Sequence, residues 1–78
     1  MKINATEFNR NRDYNWSELV IWITEHISPM IKHDNNACLG KTWRLYGEEN
    51  SVEGFWESTY WLEFDNDVDG TTFLLRWA

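Results

Sequence analysis

Apolar residues recur at three- and four-residue steps from Trp16 to Ile27, and after residue 40 the period changes to two in the segments "KTWRLYG" and "FWESTYWLEF". A chain whose hydrophobic period changes once in this way puts a helix early and strands late, and each must bury its apolar side against the other. The helix is expected in "YNWSELVIWITEHIS". Asn15 is suited to cap it, Glu18 completes the capping-box spacing, and Tyr14 and Leu19 are spaced as a hydrophobic staple. Trp16, Leu19, Val20, Ile23 and Ile27 share one face. Pro29 ends or kinks the helix, since it lacks the amide hydrogen and restricts Ser28. Ser28 as a second cap would allow a short further segment through Met30 and Ile31.

"KHDNNACLG" has the composition of a loop. In "KTWRLYG", Trp43 and Leu45 alternate with Thr42, Arg44 and Tyr46. "EENSVEG" reads as a turn or loop. In "FWESTYWLEF", Trp56, Ser58, Tyr60, Leu62 and Phe64 alternate with Phe55, Glu57, Thr59, Trp61 and Glu63, and "TTFLLRWA" reads as a last strand. Connections this short favour antiparallel hairpins over parallel crossovers. The expected fold is α+β: one α-helix on a three-stranded antiparallel meander, a single small domain over residues 1–78, with residues 2–8 as an extra edge strand.

Seventy-eight residues support one modest core, with a stability on the order of 4–12 kcal/mol. Six tryptophans supply much of its apolar area. The sequence has no apolar run of the roughly 20 residues that cross a membrane. Its opening "MKINATEF" has no apolar stretch of the secretory type, and its one cysteine, Cys38, fits a reducing compartment. A cytoplasmic protein is expected.

"DNDVDG", residues 65–70, opens like a calcium-binding EF-hand loop. That loop needs a bidentate glutamate at its twelfth position, where this chain has Arg76, and helices on both sides. The stretch is therefore expected to be a hairpin turn with Asp69 and Gly70 in left-handed conformations. His26, His33 and Cys38 show no paired metal-ligand spacing. There is no phosphate-binding glycine loop and no local nucleophile signature. Glu57 and Glu63, six residues apart on a strand, stand roughly 20 Å apart, too far for a glycosidase pair. No enzyme activity, cofactor or metal is expected.

Two features point to a partner. Both faces of the long strand carry large aromatics, so Phe55 and Trp61, with Trp22 at the helix margin, are expected at the surface as interface anchors. The charge is also divided: residues 1–44 carry six basic and five acidic side chains, whereas residues 45–78 carry eight acids and Arg76 alone. The acidic half repels nucleic acid and anionic membranes. Glu57 and Glu63 lie on the Trp61 face, Asp65, Asp67 and Asp69 crowd one end, and Glu48, Glu49 and Glu53 the other. The expected partner is a protein with a basic surface, met by Phe55, Glu57, Trp61, Glu63, Asp65, Asp67 and Asp69.

In size and composition, a short acidic, aromatic-rich chain is similar to phage-encoded inhibitors such as anti-CRISPR and DNA-mimic proteins, and to bacterial immunity proteins that neutralise a toxin. That resemblance implies a non-enzymatic inhibitor occupying the basic groove of a nucleic-acid-processing protein. A homodimer with Phe55 and Trp61 as its seam is the expectation from a different class. A small-ligand binder with a concave aromatic pocket is another.

Overall fold

The computed structural model describes residues 1–34 and 37–78; Asn35 and Asn36, within the expected loop "KHDNNACLG", lie outside the described residues. Among the described residues the elements are β1 (Lys2–Asn4), α1 (Ala5–Asn9), α2 (Trp16–His26), β2 (Met30–Asp34), β3 (Ala37–Gly40), β4 (Trp43–Val52), β5 (Phe55–Phe64) and α3 (Asp67–Trp77). The strands form one antiparallel sheet in the order β1-β5-β4-β3-β2. The mixed α+β class is as expected. The sheet has five strands among the described residues instead of three, and the chain's last segment is a helix.

Helix α2 forms where its apolar period places it. The Asn15 side chain accepts from the Ser17 amide at 2.8 Å, and this bond caps the helix. Leu19 and Ile23 are buried while Val20, Trp22 and Ile27 pack at the margin. After Pro29 the chain turns into β2, so the expected second helical segment does not form. Strands β2 and β3 pair with each other and take up most of the expected loop. "MIKHD" mixes apolar and charged residues with no clean alternation, which hides β2 in the sequence. Of residues 2–8 only Lys2–Asn4 is strand; Asn4 then caps α1, accepting from the Glu7 amide at 3.0 Å.

Helix α3 overturns two expectations. Residues 65–70 are not a hairpin turn, and "TTFLLRWA" is not a strand. Asn66 is an N-cap whose side chain accepts from the Asp69 amide at 2.8 Å. Asp67 and Asp69 lie in the first turn, where the helix dipole favours carboxylates. The short apolar run satisfies both periods, and burial separates them: Gly70, Phe73 and Trp77 are buried at helical spacing, while Leu75, which strand alternation would place on one face with Phe73 and Trp77, is 83% exposed.

The helices pack on one face of the sheet around Trp43, Leu62, Phe64, Leu19, Ile23 and Phe73. The register pairs Trp43 with Phe64 and Leu45 with Leu62, so the odd positions of β4 and the even positions of β5 face the helices. The opposite face is open. At the end of the β4–β5 hairpin, Glu53 (φ 51°) and Gly54 (φ 83°) form a two-residue turn. Both positions are left-handed, and glycine takes the second without strain.

Candidate protein-interaction site

Strands β4 and β5 pair over ten residues, from Trp43 opposite Phe64 to Val52 opposite Phe55. Their neighbours stop early. β3 accompanies β4 only as far as Tyr46, and β1 accompanies β5 only as far as Trp61. From Gly47 and Tyr60 outward the hairpin is therefore a two-stranded arm, roughly 20 Å long at strand rise. The molecule's extents of 40 × 26 × 22 Å accommodate such a projection. The segment expected to be a loop, "EENSVEG", is most of the arm's first strand and its turn.

Phe55 and Trp56 stand at the tip, 73% and 75% exposed. As consecutive strand residues they point to opposite faces. Phe55 and Glu57 lie on the open face with Glu48, while Trp56 lies on the helix side with Glu49 and Tyr60. Between Arg44 and Arg76 the chain has no lysine or arginine. Among the described residues no basic group comes within ion-pair reach of Glu48, Glu49, Glu53 or Glu57.

The base of the open face is wired differently. Arg44 donates to Glu63 Oε2 at 2.8 Å and to Asp65 Oδ1 at 2.7 Å, and the Tyr46 hydroxyl donates to Glu63 Oε1 at 2.7 Å. Lys2 lies 3.9 Å from Glu63 and 4.5 Å from the Trp61 ring centroid. Trp61 is thus half-buried under a cation instead of standing free, and Trp22 is half-buried against Phe73 and Trp77. Of the residues expected to meet a partner, Phe55, Glu57, Trp61 and Glu63 share the open face, as strand alternation requires. Glu63 and Asp65 are engaged by Arg44. Asp67 and Asp69 sit on α3, away from the arm. Alternation assigns Trp56 to the core side, which the helices do not reach at the tip.

The hydrogen bond from Tyr46, and after it the one from Arg44, holds the Glu63 carboxyl below the usual glutamate range; the bond to Glu63 holds the Tyr46 hydroxyl above the usual tyrosine range. The unfolded chain therefore binds the Glu63 proton first as pH falls. This contribution to stability is complete above the ordinary glutamate value of about 4.3 and is lost as pH drops through the lower folded value. The Tyr46 contribution is complete below about pH 10 and is lost as pH rises through the higher folded value. Tyr46→Phe is expected to flatten the fall of melting temperature on acidification below the ordinary glutamate value of about 4.3, relative to the parent. Parallel curves for the two proteins would show that the bond does not act on Glu63.

Burial pushes the Cys38 thiol up, the opposite of an activated nucleophile. Among the described residues no three metal-ligating side chains gather, and no helix is long and apolar enough to cross a membrane. Compared with protein-family models, curated proteins and solved structures, the chain matches none.

Proposed function

We propose that the chain is a non-enzymatic inhibitor that inserts its acidic arm into a basic cleft of a protein partner, of the kind that holds nucleic acid. The observation that carries this reading is the arm tip: two adjacent, largely exposed aromatics among four carboxylates that have no ion-pair partner among the described residues. Aromatic side chains are the usual anchors of an interface. Spaced carboxylates speed encounter with a basic surface and repel acidic competitors. A two-stranded ribbon is also narrow enough to enter a cleft that would exclude the sheet and its helices. Phe55, Glu48 and Glu57 form the leading open-face edge of the contact, and Glu53 caps it. The engaged carboxylates, Glu63 and Asp65, support the strand base and leave the contact to the arm.

The test is capture from lysate of the source cells with the chain immobilised through its N-terminus, followed by a salt gradient and identification of what elutes. A protein with a basic cleft, released by salt and by added DNA or RNA, is the expected result. Recovery only of proteins that neither salt nor nucleic acid releases would contradict it.

A further inference from the structure

The helix side of the sheet carries a second apolar feature that the arm's open face does not use. Helix packing concentrates on β5, and the β2–β3 end of the sheet extends past α2. This leaves an open groove walled by Trp16, Val20 and Ile21 of α2 and floored by Met30, Cys38 and Leu45 of the strands. Trp16 meets Tyr60 at a ring separation of 5.7 Å, so the groove continues onto the arm. Four residues farther along that face stands Trp56. Trp16, Ile21, Met30, Tyr60 and Trp56 are 36%, 56%, 40%, 41% and 75% exposed.

We propose that this face joins two copies of the chain, each placing the helix-side face of its arm, led by Trp56, in the groove of the other. Shape supports a second copy as the occupant. The body is two layers thick on this face and the arm is one layer, so the molecule has a step. Two such steps related by a two-fold axis lying in the interface interlock, and each thin arm covers the other copy's groove. Groove and Trp56 lie on one face, as an isologous contact requires, since the same patch must serve both copies. Area supports it as well. The five side chains expose on the order of 500 Å² per copy, and two copies together reach the roughly 1,000 Å² that a specific interface needs. The pairing leaves Phe55, Glu48 and Glu57 on the outer, open faces but covers Trp56 and Glu49, so a paired arm is closed to a cleft and pairing and cleft binding exclude one another; pairing is measured with no partner present, so either can fail without the other.

The experiment is sedimentation equilibrium of the parent chain, Trp56→Ser and Ile21→Glu, with near-ultraviolet circular dichroism to confirm that each variant is folded. Both side chains are largely exposed, so the folds should survive. At about 100 µM the parent is expected at twice its 9.4 kDa monomer mass, and each variant at the monomer mass, a weakening of at least about tenfold. A parent chain that stays monomeric overturns the proposal, including one that binds an apolar dye in the groove and so points to a small apolar ligand. Dimerisation undiminished in Trp56→Ser also overturns it.

Discussion

Trp43→Ala is expected to remove about 3–5 kcal/mol of stability, a large share of the roughly 4–12 kcal/mol available to a chain of this length. Trp43 has no exposed surface and lies at the centre of the core cluster. Its Nε1 donates to the Ser28 carbonyl at 2.9 Å, which ties β4 to the segment between α2 and β2. Ser28 is held from the other side too, its hydroxyl 2.8 Å from that of Thr42. Alanine would leave a cavity and deprive that carbonyl of its partner. The indole also lies directly against Gly40, where an added Cβ would overlap the ring. Gly40→Ala should therefore destabilise by about 1–3 kcal/mol or more through overpacking. Equilibrium unfolding in urea, followed by circular dichroism, measures both. A loss below about 1 kcal/mol for Trp43→Ala would mean that the core is not centred where it is described here.

Excising the arm is expected to have the opposite profile: binding abolished and the fold retained. Joining Gly47 to Tyr60 through an Asn-Gly turn removes residues 48–59, which supply no residue to the core cluster. An isolated two-stranded ribbon has marginal stability of its own, so the melting temperature should change by only a few degrees. Loss of the aromatic tip and its carboxylates should weaken partner binding at least about 100-fold. If the excised chain bound its partner as the full chain does, the interaction would lie elsewhere. If it failed to fold, the arm would be structural, contrary to the burial pattern.

Much of this arrangement can be read in the sequence, and what cannot has identifiable causes. Helix α2 announces itself through a cap and a sustained apolar stripe. The alternation of β5 assigns its faces, so Phe55, Glu57, Trp61 and Glu63 are correctly grouped together. Helix α3 is hidden because eight residues with apolar side chains at 73, 74, 75 and 77 fit a strand as well as a helix; the cap at Asn66 looks like a turn until the helix is in view. Strand pairing is the other missing element. The partnership of Arg44 with Glu63 and Asp65 depends on the β4–β5 register, a tertiary property, and it engages two carboxylates of the expected binding set in internal bonds. The arm exists because β4 and β5 outrun β1 and β3. Strand length can be estimated from one segment, but overhang is a relation between segments. This is why Trp56, assigned to the core by alternation alone, emerges as an exposed residue.

The occupancy proposed for the acidic arm is that of a cleft that otherwise holds nucleic acid. Its most direct measurement is an equilibrium competition: fluorescence anisotropy of the labelled chain bound to its captured and purified partner, with duplex DNA or RNA titrated in at constant salt. Complete displacement is expected, with the apparent affinity of the chain falling in proportion to added nucleic acid, as one shared site requires. A complex whose anisotropy is unchanged while the partner demonstrably binds the nucleic acid would place the two ligands on separate sites and contradict the claim.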